Sequence, residues 1–168
     1  PTTSAYILGA ALGVPALAKM GVMPLAAHLF VFYYAIISNI TPPVALAAYA
    51  AASIAGSPPN RTGFAACRLG ILAFIVPFAF CYDPGLLLKS SFLGNMTSII
   101  SGVAAMAGLG FAITGYGKRR LSIVERLLFA IVGLAALHGN LAVSLASTAA
   151  VIGLFLLLRS REETQETV

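Results

Sequence analysis

The stretch SNITPP, residues 38–43, interrupts an otherwise apolar run that extends from 24 to 56, and this interruption decides the fold. Pro42 and Pro43 have no backbone N–H and fix φ, and each disfavours a helical conformation in the residue before it. The helix that begins at Pro24 is therefore predicted to stop near Ser38. A second half-helix is predicted to begin near Pro43, with Thr41 as its cap.

The composition around this stretch is that of a membrane protein. Of the 168 residues, 60% are hydrophobic and 9% are charged, and the mean hydropathy is +0.96. A soluble domain carries about 25% charged residues, so a chain this poor in charge is expected in a bilayer.

Six apolar stretches can be marked along the chain: 4–18, 24–56, 63–82, 96–116, 121–138 and 141–158. A crossing helix needs roughly 17–25 apolar residues, so the first stretch is too short and suits a re-entrant arm. We therefore predict an all-α polytopic membrane protein with a re-entrant hairpin arm, one discontinuous helix and four further transmembrane helices.

The basic residues predict the orientation. If the arm 4–18 returns from the outside, eight of the ten Lys and Arg residues fall on the cytoplasmic side and two, Lys19 and Lys89, fall outside. This distribution obeys the positive-inside rule, which places the C-terminus in the cytoplasm. Residues 159–168 are expected to form a frayed, polar cytoplasmic tail, and His138 is expected at a short outer turn.

The interruption at 38–43 is also the best candidate for chemistry. It lies near mid-bilayer, where an unwound backbone persists if it lines a cavity or binds a ligand. The carbonyls that end the first half-helix suit a small cation, the amides that begin the second suit a carboxylate, and Ser38, Asn39 and Thr41 add side-chain oxygens. The alternative is a proline kink whose backbone groups are satisfied by neighbouring helices, with no ligand.

Other functions find little support. The basic residues lie at the ends of apolar runs, as lipid headgroup contacts do, which argues against nucleic-acid binding. No carboxylate pair, catalytic triad, metal cluster or phosphate-binding loop is visible, so no enzymatic activity is predicted. Cys67 and Cys81, on one predicted helix, would be roughly 21 Å apart and unable to pair. Asp83 is expected to be a solvated loop charge, and His28 a satisfied interfacial or interhelical residue.

Residues 26–56, AAHLFVFYYAIISNITPPVALAAYAAASIAG, closely resemble the large permease part of tripartite ATP-independent periplasmic (TRAP) transporters. PTTSAY at 1–6 is similar to the end of a hairpin motif of that family, and 61–88 is similar to the helix that follows the broken one. The last two helices, the first opening with SIVERL at 122–127, resemble the fused form in which the small and large permease parts share one chain.

The resemblance implies a sodium-coupled importer of organic acids, with inverted repeats, an elevator-type motion and a separate extracytoplasmic solute-binding protein. Asn39 stands where many relatives have Asp, which removes one negative charge beside the cation. Pro1 would belong to the hairpin tip. The residues implied for substrate binding are Thr2, Thr3, Thr41, Pro42 and Pro43. Those implied for sodium are Ser38, Asn39, Ile40 and Thr41. No cofactor other than the coupling ion is expected.

The organisation follows from the same resemblance. Because the chain starts at Pro1 without Met, we expect the C-terminal part of a longer permease in a bacterial inner membrane, in contact with the rest of that chain and with membrane lipids. Residues 1–91 would complete the transport domain, and 92–158 would be scaffold-like helices. A non-transporting scaffold or assembly subunit is the alternative function. A lipid-modifying membrane enzyme would need an acid, base or metal cluster, which the sequence lacks.

Overall fold

The computed structural model describes residues 2–117, 120–137 and 140–165. The described chain is helical, with eight α-helices and three short 3₁₀ turns, and its only β-type pairing is an isolated bridge between Tyr116 and Arg120. It forms two compact units, residues 1–81 and 82–168. The all-α prediction is confirmed for the described residues, whereas the roles assigned to 1–91 and 92–158 stay predictions.

The first unit contains five helices: α1 (Thr2–Lys19), α2 (Pro24–Ile37), α3 (Leu46–Ala55), α4 (Pro59–Leu69) and α5 (Val76–Tyr82). The last residue of α5, Tyr82, already belongs to the second unit. Helices α1 and α2 pack closely because α1 presents glycine to its neighbour. A Cβ on Gly9 would lie 2.9 Å from Cγ1 of Val31. The ring of Tyr6 packs edge-on against Phe32, with centroids 5.8 Å apart. The predicted arm is thus a regular helix held against the first half of the broken helix.

The predicted span 63–82 is not one continuous helix. Helix α4 ends at Leu69, and the segment Ile71–Tyr82, a 3₁₀ turn over Ile71–Phe74 followed by α5, leaves it at an angle of 65°. The bend therefore lies at Gly70, whereas Pro77, which cannot donate to the carbonyl four residues earlier, separates the 3₁₀ turn from α5. The cysteines therefore lie on two segments, Cys67 on α4 and Cys81 on α5, and both are free thiols as predicted.

The second unit packs α6 (Phe92–Thr114), α7 (Ile123–Ala135) and α8 (Leu141–Gln165) around a small apolar core. Phe129 on α7 is 1% exposed, and its ring centroid lies 5.5 Å from that of Phe111 on α6. Close approach of these helices requires glycine. A Cβ on Gly133 would lie 3.1 Å from the backbone N of Leu109 and 3.2 Å from the carbonyl O of Ala105.

Asp83 corrects the expectation of a solvated loop charge. It is 9% exposed, and its Oδ1 accepts hydrogen bonds from the Gly85 N–H and the Ser98 hydroxyl, both at 2.9 Å. The carboxylate caps the 3₁₀ turn Pro84–Leu87 and ties it to α6. Burial arises from the contact with Ser98, fifteen residues further along the chain, which local sequence does not predict.

Fewer full crossings are seen in the described part of the chain than were predicted, and the topology stays a prediction. In the described part of the chain, α6 alone is long and apolar enough to cross a membrane, and the bent α4–α5 pair adds a second candidate if it counts as one span. Helix α7 has 13 residues and is about 20 Å long, against a hydrocarbon core of roughly 30 Å. The apolar part of α8 is likewise short, Ala142–Leu156. The four further transmembrane helices are therefore not all seen.

The predicted polar tail begins within α8. The backbone of this helix continues to Gln165, since residues 159–165 include no Gly or Pro and are mostly good helix formers, and the fraying of the tail stays a prediction. Residues 166–168 lie outside the described part. So do Pro1, Lys118, Arg119 and His138.

Large apolar side chains cover the outside of both units, as lipid contact requires. Ile54 is 90% exposed, Leu69 88% and Leu12 81%. In water a surface of this kind would aggregate, whereas in a bilayer it meets acyl chains at no cost.

Candidate functional site

The break in the long apolar segment is real and spans residues 38–45. Helix α2 ends at Ile37, a 3₁₀ turn covers Ser38–Ile40, Thr41 is extended, and the Pro42–Pro43 peptide bond is cis. Ala45 then takes a left-handed conformation with φ of 38°, and α3 begins at Leu46. The predicted end of the first half-helix near Ser38 is confirmed.

The second half-helix begins later than predicted, and Thr41 does not cap it. The Thr41 hydroxyl donates backwards to the Ile37 carbonyl at 2.8 Å, which closes the end of α2. The residue before α3 is Ala45, and no side chain caps that helix. The two prolines extend the non-helical segment, so Thr41 lies four residues from the true N-cap and out of reach of the first amides of α3.

The prolines leave backbone acceptors without their usual donors. In a continuous α-helix the carbonyls of Ser38 and Asn39 would accept from N–H groups at positions 42 and 43, which are prolines, and the Ile40 carbonyl would accept from Val44 N–H. In the described structure no backbone N–H bonds to the carbonyl of Asn39 or Ile40. The Ser38 carbonyl, by contrast, accepts from Thr41 N–H at 3.3 Å and Ala45 N–H at 3.1 Å. Asn39 and Ile40 thus offer the oxygens available to a ligand.

The tip of the arm meets this break through Asn39. Its side-chain Nδ2 donates to Oγ1 of Thr2 and to the carbonyl of Ile36, both at 3.0 Å. Because the Ile36 carbonyl can only accept, the atom of the Asn39 amide that faces it must be the nitrogen. The other atom, Oδ1, accepts from no donor among the described residues. The structure therefore brings together Thr2 and Asn39, two residues that are 37 positions apart and were predicted to share a site.

The other predicted residues divide into two groups. Ser38, Ile40, Thr41 and Pro42 are half-buried at the break, together with Asn39 and Thr2. Pro43 lies in the same turn but is exposed. Thr3 is also exposed on α1, and its side chain makes no hydrogen bond within the described residues, so the structure gives it no link to the break.

Two packing contacts that the sequence did not predict support the break from the bent helix. The Tyr34 hydroxyl donates to the carbonyl of Phe74 at 3.0 Å, which links α2 to the second 3₁₀ turn. Gly63 of α4 is buried against the break, and a Cβ placed there would lie 3.0 Å from Cγ of Pro42. No sequence pattern indicates which residue a single glycine or tyrosine in an apolar helix will contact. These two contacts can therefore be seen only in the packed structure.

His28 has an interhelical partner, as expected for a satisfied histidine. Its Nδ1 lies 2.8 Å from the hydroxyl of Tyr6, so α1 and α2 are hydrogen-bonded at a second point. The described residues contain no group of three or more His, Cys, Asp or Glu that could hold a metal ion.

Comparison with known proteins gives one match. Residues 1–95 match the family described as the tripartite ATP-independent periplasmic transporter, DctM component. No curated protein matches the chain, and no solved structure matches it. The matched region contains α1, the break and the bent α4–α5 segment, and so includes every residue of the candidate site. The predicted resemblance to the large permease part is confirmed. The chain therefore belongs to the DctM family of tripartite ATP-independent periplasmic transporters, as part of a membrane permease that works with a periplasmic solute-binding partner.

Proposed function

We propose that this permease imports organic acids by sodium-coupled transport, and that the break at 38–45 with the tip of α1 binds both ion and substrate. The observation that carries the proposal is the pair of backbone carbonyls at Asn39 and Ile40, which accept from no described backbone N–H because the turn around Pro42 and Pro43 interrupts the helix. Discontinuous helices with free carbonyls near mid-bilayer are the ion sites of secondary transporters.

The oxygens at the break suit a monovalent cation. Sodium would be held by the carbonyls of Asn39 and Ile40 and by Oδ1 of Asn39, with the hydroxyls of Ser38 and Thr41 close along the chain. These ligands are dipoles, with no formal negative charge to offset the dehydration of a divalent ion. The amide at position 39 therefore favours a weakly bound, exchangeable ion, which alternating transport requires.

The start of α3 suits the carboxylate of the substrate. The first N–H groups of a helix have no intrahelical partner and lie at the positive end of its dipole. In α3 these groups belong to residues 46–48, and no side chain caps them. An organic acid would supply the missing acceptor, with Pro42 and Pro43 forming the wall of the turn and the arm residue Thr2 approaching from the other side.

Coupling would arise because one turn connects the two sites. The Ala45 N–H bonds to the carbonyls of both Ser38 and Thr41, so residues 38–41 position the start of α3. An ion that orders residues 38–41 would therefore order the carboxylate site as well. Each ligand would bind more tightly in the presence of the other, as thermodynamic linkage demands.

The cellular setting follows the family and the charge distribution. The permease lies in the inner membrane, and we place its C-terminus in the cytoplasm because the basic residues concentrate on that side. The solute-binding protein would deliver the acid to the outer side and would set much of the specificity.

The experiment is uptake of a candidate carboxylate by the full-length permease in proteoliposomes, with its cognate binding protein and with or without a sodium gradient. Thr41→Ala removes a hydroxyl that donates to the carbonyl four residues earlier at 2.8 Å. Thr114→Ala is a matched control, since its hydroxyl makes the same type of bond, to Gly110, at 2.8 Å in the second unit.

We expect Thr41→Ala to reduce sodium-dependent uptake strongly and Thr114→Ala to leave it near the wild-type rate. Equal uptake by both variants would remove Thr41 from the site. Wild-type uptake that is indifferent to sodium would remove the coupling mechanism and leave the family assignment intact.

A further inference from the structure

A cationic side chain lies at the end of α6, at the mouth of an apolar groove in the second unit. The guanidinium of Arg126 donates from Nε to the carbonyl of Ala112 at 2.8 Å and from Nη2 to the carbonyl of Ile113 at 3.2 Å. A guanidinium has five N–H groups, so three remain for which the described residues provide no acceptor. Arg126 therefore caps α6 and still has donors to offer.

The groove beside this side chain has a volume of about 410 Å³. It is lined by Ala112, Ile113, Ile123, Arg126, Leu127 and Ala130. Five of these six residues are apolar, and the sixth supplies the charge. The groove continues along α7 as a face of exposed side chains four residues apart, with Ile123 76% exposed, Leu127 57% and Ile131 64%.

The position of the groove in the membrane follows from α6. This helix, Phe92–Thr114, is long and apolar enough to cross the bilayer, so the carbonyls of Ala112 and Ile113 lie where the hydrocarbon gives way to head groups. The sequence then continues with Lys118-Arg119-Arg120, and adjacent basic residues that follow a spanning helix attract anionic lipid.

We propose that this groove is a binding site for one anionic phospholipid, whose phosphate contacts Arg126 and whose acyl chain lies along the α7 face of Ile123, Leu127 and Ile131. The charge of Arg126 selects an anionic head group, and its planar fork matches phosphate oxygens. The apolar lining selects an acyl chain, which a free phosphate lacks. The site lies wholly in the second unit and does not depend on the proposed ion and substrate site.

The test is native mass spectrometry of the purified full-length permease, titrated with phosphatidylglycerol or with phosphatidylcholine that has the same acyl chains. We expect one phosphatidylglycerol to bind in preference to phosphatidylcholine. Arg126→Gln should lower the phosphatidylglycerol affinity about fivefold, the loss expected for one basic residue at a membrane surface. Arg61→Gln is the control, since Arg61 is an exposed basic residue of α4 in the other unit and should leave this affinity unchanged.

Arg126→Gln also removes the two bonds to the α6 carbonyls, so a second variant is needed in case the first does not fold. Leu127→Asn changes an exposed apolar side chain of the groove, keeps Arg126 and should also weaken phosphatidylglycerol binding. Equal affinity for the two lipids, unchanged binding in Leu127→Asn, or full displacement of the lipid by inorganic phosphate would each overturn the proposal.

Discussion

The hydrogen bond between Asn39 and Thr2 provides the sharpest test of how the arm and the break cooperate. Asn39→Ala removes two bonds, to Thr2 Oγ1 and to the Ile36 carbonyl, each 3.0 Å long. Thr2→Val removes one of them. At about 1 kcal/mol per bond, the first change weakens the ordered site by about 2 kcal/mol and the second by about 1 kcal/mol.

These free energies translate into sodium concentrations. If the bonds order the ion site, half-saturation of uptake by sodium should rise about fivefold for Thr2→Val and roughly 30-fold or more for Asn39→Ala, which also removes the proposed ion ligand Oδ1. Half-saturation in the double variant should rise no further than in Asn39→Ala alone, because the bond that Thr2→Val removes is already absent. Independent effects would instead raise it by about a further fivefold.

The assay is initial uptake in proteoliposomes over a range of sodium concentrations, with the solute-binding protein and its acid held saturating. Thr97→Val serves as the control. Like Thr2 it is a half-buried helical threonine, but its hydroxyl bonds only to Leu93 and Gly94 of its own helix. A double variant whose effect equals the product of the single effects would refute the contact between arm and break. So would a Thr2→Val variant that behaves like Thr97→Val.

Three further substitutions test the packing. Gly63→Val should push α4 away from Pro42, because even a Cβ at this position would lie 3.0 Å from the proline ring. We expect slower uptake and a loss of about 1–3 kcal/mol in the free energy of unfolding, measured by the uptake assay and by the unfolding midpoint. Tyr34→Phe should lower the free energy of unfolding by about 1 kcal/mol, since it removes the hydrogen bond to the Phe74 carbonyl and leaves the ring in place. An unfolding midpoint equal to that of the wild type would contradict this prediction. Gly133→Val should sharply lower the yield of folded permease, because its Cβ would meet backbone atoms that cannot move aside.

The break was predictable because its cause is local. Two adjacent prolines remove donors and restrict the preceding residues wherever they occur, so the end of α2 near Ser38 follows from residues 38–43 alone. The restart of the helix was not predictable in the same way. It depends on Ala45 adopting a φ of 38°, a conformation that alanine rarely takes and that no sequence pattern indicates.

The bend of the α4–α5 segment was missed for a related reason. Hydropathy is the same for a straight and a bent apolar helix, and the bend lies at Gly70, seven residues before the only proline of that apolar stretch, Pro77. The bend places Gly70 where a Cβ would lie 2.6 Å from the Ile40 side chain, a contact between two breaks that are thirty residues apart. Contacts of this range, like that between Asp83 and Ser98, belong to tertiary packing.

The meeting of the arm and the break was predicted in outline, whereas the binding of an ion or substrate there stays a prediction. The sequence and the family resemblance together assigned Thr2, Asn39, Ile40 and Thr41 to one site, and the structure brings Thr2 and Asn39 into contact. Thr41 was given the wrong partner, because a threonine before two prolines can bond backwards as readily as forwards. Thr3, assigned through the resemblance, is exposed and away from the contact.

The measurement that tests the central claim most directly is sodium-driven uptake by a permease with Pro42→Ala and Pro43→Ala together. Two alanines restore the N–H groups that an α-helix bonds to the carbonyls of Ser38 and Asn39, so a continuous helix, in which Val44 N–H bonds to the Ile40 carbonyl, can close over the proposed ion site. We predict that this variant inserts and folds in the membrane but loses sodium-dependent uptake. Wild-type uptake by the folded variant would contradict the claim that the break is the transport site, and would favour a scaffold role for this part of the chain.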